Sequence, residues 1–201
     1  ESKVDIEQLM HDGKIVLINL SKGKIGEDNS SFFGSMFLTK IKQAGMARAK
    51  LDPKQRKDFY LYVDEFHNVM TDTFENILSE ARKYGLNLTV AHQYMDQLTA
   101  KVQHAVLGNV GSIICFRVGG DDATKLKPEF APIFEVKDMI NLGIGEFYIK
   151  MTIEGESYDP FSAETLKVLP APYASNKEKI IEASRRAYAI PVKEAKRLIE
   201  E

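Results

Sequence analysis

A short apolar and aromatic segment, Phe59-Tyr-Leu-Tyr-Val63, ends in the carboxylate pair Asp64-Glu65. If the segment is a buried strand, both acids emerge at the carboxyl edge of a sheet, where α/β proteins bind ligands. Such a pair suits hydrolytic phosphoryl transfer: the first carboxylate can hold Mg²⁺ through water, and the second can orient or deprotonate the attacking water. Taken alone, the same pattern describes any strand leaving a core into a polar loop. Two further residues bear on the choice. Gln93 lies just past the apolar segment 86–91, where a neutral amide can sense a γ-phosphate or the attacking water. Arg82 lies at the end of the intervening helical pattern. It is either a solvated cation set against the helix dipole or a finger reaching a neighbouring subunit's nucleotide.

The elements that must position these residues alternate. Segments 14–20, 59–63, 86–91 and 112–118 are apolar runs of strand length. Between them, Phe33, Phe37, Ile41 and Ala44 recur at helical spacing with Gly45 as a stop. Phe74, Ile77, Leu78 and Ala81 do the same before Gly85, and a third helix is expected over 99–107. Residues 50–58, charged and containing Pro53, read as a surface loop. Strand–helix alternation predicts an α/β fold with a mostly parallel sheet and helices on both faces. From Glu146 the pattern changes to a hairpin around Glu154-Gly155, expected at the sheet edge. Pro170 and Pro172 mark a linker, after which Ser175 and Glu178 suggest a capping box and Pro191 opens a last helix. The expected division is therefore 1–165 as one α/β unit and 166–201 as a helical C-terminal tail.

Composition excludes several other classes. The 201 residues are 44% hydrophobic and 28% charged, with a net charge of −2. That charge gives no global reason to bind nucleic acid, so any DNA contact needs a local basic surface or one assembled from several subunits. The lone cysteine, Cys115, allows no intrachain disulfide and reads as an inert core residue. No apolar run approaches the roughly 20 residues of a membrane span. None of His11, His67, His92 and His104 has a second histidine at helical spacing, so a zinc site is not expected.

With these residues in order, the stretch 60–98, YLYVDEFHNVMTDTFENILSEARKYGLNLTVAHQYMDQL, resembles the Walker B, arginine and glutamine-sensor region of the HerA/FtsK superfamily. Within it the likeness is closest to coupling ATPases of type IV secretion and conjugation. The segment 108–118, followed by Asp122-Ala123, is similar to the strand after the sensor, and 14–26 (KIVLINLSKGKIG) to the strand and loop before Walker B. The resemblance spans roughly 12–165. It implies a RecA-like core, a homo-oligomer that is a hexamer, and ATP-driven movement of DNA, as in secretion, conjugation or chromosome pumping. It also implies Mg²⁺ and ATP as cofactors, a membrane-associated secretion machinery as partner, and residence in the cytoplasm or at the cytoplasmic face of the membrane. Carried over residue by residue, Asp64 becomes the Mg²⁺-associated carboxylate, Glu65 the catalytic base, Gln93 the sensor and Arg82 the finger in trans. Arg117 matches an arginine often found on the later strand.

One departure is large. No G-x-x-x-x-G-K-[ST] occurs in the chain; Gly23-Lys24-Ile25-Gly26 has the wrong spacing and no following Ser/Thr. The phosphate loop is therefore expected upstream in a longer parent protein, and these 201 residues alone are expected to bind ATP poorly. Two other readings stay open: an ATP-independent assembly or substrate-docking module, and a helicase of another superfamily, given the Asp-Glu-x-His ending at His67. The latter lacks downstream arginine-rich motifs. The former is favoured by the missing phosphate loop. Asp121 and Asp122 read as helix caps rather than metal ligands.

Overall fold

The computed structural model describes residues 3–70, 74–170 and 172–200. Helix α1 (Ile6–His11) starts at Asp5, whose carboxylate accepts from the Gln8 amide. After residues 14–20 and the short α2 (Lys22–Ile25) comes the long α3 (Glu27–Ala47). Gly45 does not stop this helix; it is buried inside it, where a Cβ would come into van der Waals contact with Leu86. Strand β1 (Phe59–Val63) follows, then α4 (Phe74–Glu80), a 3-10 turn Ala81–Tyr84 ending on left-handed Gly85, and β2 (Leu86–Val90). β1 and β2 pair in parallel, Phe59 opposite Leu86 through Val63 opposite Val90.

Every second residue of β1 faces inward. Phe59, Leu61 and Val63 pack on a core of Leu38, Ile41, Phe66, Phe74, Ile77 and Leu86, while Tyr60 and Tyr62 face out. The start of the pair is fixed by a buried cation. Arg48, just past α3, donates from Nη1 to the Gly85 carbonyl at 3.3 Å and from Nη2 to the Lys57 carbonyl. Near the other end of β1, α3 approaches closely: a Cβ on Gly34 would overlap Val69. Only glycine admits that approach, and it sets the helix against the loop that follows β1.

The expected strand at 14–20 does not form. Ile15 and Leu17 are 92% and 84% exposed, and a cavity of about 660 Å³ separates this run from β1. Apolar residues favour a strand only where a neighbour pairs and covers them.

The second half begins with α5 (Ala100–Asn109), with Thr99 as N-cap, and β3 (Ser112–Cys115). Helices α6 (Gly120–Phe130) and α7 (Val136–Ile140) lead to β4 (Glu146–Ile153), β5 (Glu156–Ser157) and β6 (Phe161–Glu164). β4 turns into β5 through Glu154 and Gly155, both left-handed, as the hairpin reading requires. β4 is antiparallel to β3 on one side and to β5 and β6 on the other, so the hairpin lies at the edge of this set, with β4 as its inner strand. The expected mostly parallel sheet is thus a parallel pair and a separate antiparallel set. The second set encloses its own core of Met95, Cys115, Ala123, Leu126, Phe130 and Met139. Burial pushes the Cys115 thiol up to about 11, which keeps it protonated and unreactive at neutral pH.

Ala171, inside the expected linker, lies outside the described residues. Beyond it, α8 (Lys177–Tyr188) and α9 (Val192–Glu200) bury none of their side chains. The capping box does not form: Asn176 is the N-cap, and Ser175 Oγ instead accepts from the Lys177 amide at 3.2 Å.

Candidate functional site

The parallel ladder continues past the strand ends. Ala91 donates its amide to the Val63 carbonyl at 3.0 Å, and Phe66 donates to the Ala91 carbonyl at 3.1 Å. Asp64 and Glu65 occupy the two positions between these bonds, so the chain bulges there. Glu65 takes up the difference at φ 49, ψ 44, a left-handed conformation that is uncommon without glycine. Its carbonyl accepts from the Asn68 amide at 3.0 Å and from Asn68 Nδ2 at 3.2 Å; its own amide donates to Asp64 Oδ1 at 3.0 Å. These three bonds hold a backbone shape that Glu65 disfavours.

That shape brings two of the sequence-selected residues together. Gln93 Nε2, on the neighbouring strand tip, donates to Glu65 Oε1. The other oxygen, Oε2, faces His67 Nδ1 at 3.4 Å. Asp64 is exposed beside them, with one carboxylate oxygen taken by the Glu65 amide and the other unassigned. An exposed carboxylate next to a cleft suits Mg²⁺, which keeps several waters and takes one or two protein oxygens. Asp64 would hold the ion, which would neutralise charge on a transferring phosphate. The cleft is a cavity of about 590 Å³ along the tip of β1, reaching Ser21, Lys22, Ser30 and Gly34 as well as Asp64 and Glu65.

The turn carrying Gln93 is itself clamped. Gln97 Oε1 accepts from the Gln93 amide at 3.3 Å and the Tyr94 amide at 3.2 Å. Gln103 of α5 donates to the Met95 and Leu98 carbonyls at 2.8 and 2.9 Å. Asp122 is not the helix cap expected of it: Gly119 is the N-cap of α6, and Asp122 is buried with Oδ1 accepting from the Met95 amide at 3.0 Å. It therefore ties the turn that follows Gln93 to the second core. Gln97 and Gln103 did not stand out in the sequence, and Asp122 did so only as a helix cap, because a polar side chain that serves a distant backbone group leaves no local spacing.

His92 points the other way. It sets its ring edge-on to Phe66, centroids 5.2 Å apart, with Nε2 3.3 Å from Met95 Sδ. Burial lowers its pKa, favouring the neutral ring. Arg82 is not part of this cluster. It precedes β2, whereas Gln93 follows it, so a five-residue strand, roughly 17 Å, separates them along the sheet. Its side chain is exposed and makes no ion pair among the described residues. Arg117 is exposed past the end of β3.

The overall fold has a counterpart among solved structures. The bacterial conjugative coupling protein TrwBdeltaN70, in its unbound form, superposes with a TM-score of 0.59 at 10% identity, over 82% of this chain and 40% of that one. At that identity the likeness speaks for the fold alone. The genome packaging NTPase B204 of Sulfolobus turreted icosahedral virus 2, in complex with AMPPCP, covers 66% of this chain and 63% of that one. Its 18% identity and TM-score of 0.48 carry no argument. The chain thus spans less than two thirds of either. No match was found among curated protein sequences. Residues 58–127 match the family described as the TraM recognition site of TraD and TraG. That match covers about a third of the chain and supports a relationship to the type IV coupling ATPases of the HerA/FtsK-like group. The matched residues contain Asp64, Glu65, Arg82 and Gln93. Among the described residues, no helix is long and apolar enough to cross a membrane.

Proposed function

We propose that this chain is part of an ATP-driven DNA translocase of the secretion, conjugation or HerA/FtsK-like kind, working as a hexameric ring. The observation that carries this reading is the junction of Glu65 and Gln93 across the tips of two parallel strands, beside an open Asp64. In this reading residues 1–165 form the later part of a RecA-like domain, its sheet completed by strands and a phosphate loop from outside these 201 residues; 166–201 form a helical tail. Asp64 holds Mg²⁺ through water. Glu65 orients and deprotonates the water that attacks the γ-phosphate of ATP. Gln93, already bonded to that carboxylate, reports the γ-phosphate to it. The motor sits in the cytoplasm or against the membrane's cytoplasmic face, feeding a membrane-associated secretion machinery, and its DNA contacts come from a surface assembled by several subunits.

The test uses the protein with its phosphate loop. Gln93→Ala is expected to lower kcat by roughly 10–100-fold while ATP affinity stays within about twofold, because the hydrogen-bond partner of the base is lost rather than a phosphate ligand. Turnover that matches wild type would remove the sensor role.

Arg82 is assigned to the neighbouring subunit's nucleotide, since it lies a strand's length from its own site. In rings mixed from wild-type and Arg82→Ala subunits, activity should fall faster than the wild-type fraction, because each variant subunit silences its neighbour. A strictly proportional decline would place Arg82 outside the chemistry.

The matched family's description favours one other reading, a module that docks a TraM-like protein without using ATP. The two differ in whether ATP turnover depends on the Glu65 cluster at all.

A further inference from the structure

We propose that His67 is a positioning residue for Glu65, holding by its Nδ1 proton the carboxylate oxygen that Gln93 leaves unheld. The inference rests on the reading of Glu65 as the base. His67 sits in the one-turn 3-10 helix Phe66–Asn68, pinned on either side by core residues Phe66 and Val69. Its side chain is 16% exposed, and its Nδ1 is sealed from solvent with no hydrogen-bond partner among the described residues. A buried nitrogen left unpaired is costly, and native proteins rarely keep one without use. The nearest acceptor is Glu65 Oε2, at 3.4 Å. That is ion-pair distance without hydrogen-bond geometry, the loose state common in ligand-free sites before a catalytic contact tightens.

The geometry gives the contact a purpose. A carboxylate bonded at one oxygen can still swing about its bond to the chain; a donor on each oxygen fixes its plane. Gln93 comes from β2's tip and His67 from the turn after β1, so the two donors grip Glu65 from different elements. The remaining lone pairs then face the cleft beside Asp64. His92 does not compete for this place, since its Nε2 is turned to Met95 Sδ and its ring edge to Phe66.

Two variants separate this role from packing. Asparagine can place an amide N–H where Nδ1 lies; leucine fills similar space and donates nothing. With the phosphate loop present, His67→Leu should lower kcat roughly 10–100-fold with KM for ATP unchanged, and His67→Asn should recover most of that loss. In the 201-residue chain itself, NMR should show an Nδ1 proton on His67 that exchanges slowly with water and that Glu65→Ala exposes to rapid exchange. Full turnover in His67→Leu would overturn the proposal, as would His67→Asn being no better than leucine, or an Nδ1 without a proton. Glu65→Gln is the separating control. If it is inactive while His67→Leu is unimpaired, only the positioning role fails; if it retains activity, the base assignment fails and the proposal with it.

Discussion

Glu65→Gln is expected to lower kcat for ATP hydrolysis by about 10²–10⁴-fold while leaving ATP affinity within about twofold. The substitution is nearly isosteric, and its amide oxygen can still accept from Gln93, so the junction of the two strand tips should survive. What is lost is the basic oxygen. An amide cannot take the proton of the attacking water, and if its NH₂ faces His67 it meets a donor rather than offering an acceptor. Binding should be spared because Glu65 grips neither phosphate nor Mg²⁺ in this assignment; Asp64, the residue beside it, does the latter. The measurement is steady-state turnover paired with a nucleotide-binding titration on the protein carrying its phosphate loop. Equal losses in binding and turnover would mean that Glu65 is a structural or metal-holding acid. Unimpaired turnover would leave the chain as a docking module.

The sequence carried the site further than it carried the sheet. Phe59-Tyr-Leu-Tyr-Val63 and the 86–91 run are strands because each presents inward residues to α3 and α4, and their parallel pairing sets Glu65 next to Gln93. Residues 14–20 look as strand-like on paper as either, yet expose Ile15 and Leu17, since a cavity stands where a partner would be. The antiparallel order of β3, β4 and β6 was half legible: Glu154-Gly155 announces a hairpin, but nothing in 112–118 says that β4 will pair with it. Asp122 and Gln103 illustrate a second limit. Each satisfies backbone groups of Met95, in the turn after Gln93, from another element, a relation that appears only once the chain is folded. The left-handed backbone of Glu65 was equally hidden, because a glutamate gives no sign of it; a glycine there would have.

Phe66→Ala is expected to destabilise the chain by about 3–5 kcal/mol, which is a large part of the ~5–15 kcal/mol that holds a typical domain together. Phe66 is fully buried, stacked on Phe74 at 5.3 Å and touched by the edge of His92 at 5.2 Å. Truncation removes apolar area and leaves a cavity that three elements would have to move to fill: the turn after β1, the start of α4 and the tip of β2. The same residue is covalently next to Glu65, and its amide bonds the Ala91 carbonyl, so the bulge that aims the carboxylate is anchored by this ring. Phe66→Leu keeps most of the volume and should cost roughly 1 kcal/mol, within the range of volume-conserving swaps. Denaturant titrations of the two variants against wild type would measure the difference. If alanine cost less than about 1 kcal/mol, the first core would not depend on Phe66 as its burial indicates, and the site would need another anchor. If the order holds, the side chain that follows the Asp64-Glu65 pair is also what keeps the pair in place, and leucine should retain the Glu65–Gln93 junction where alanine loosens it.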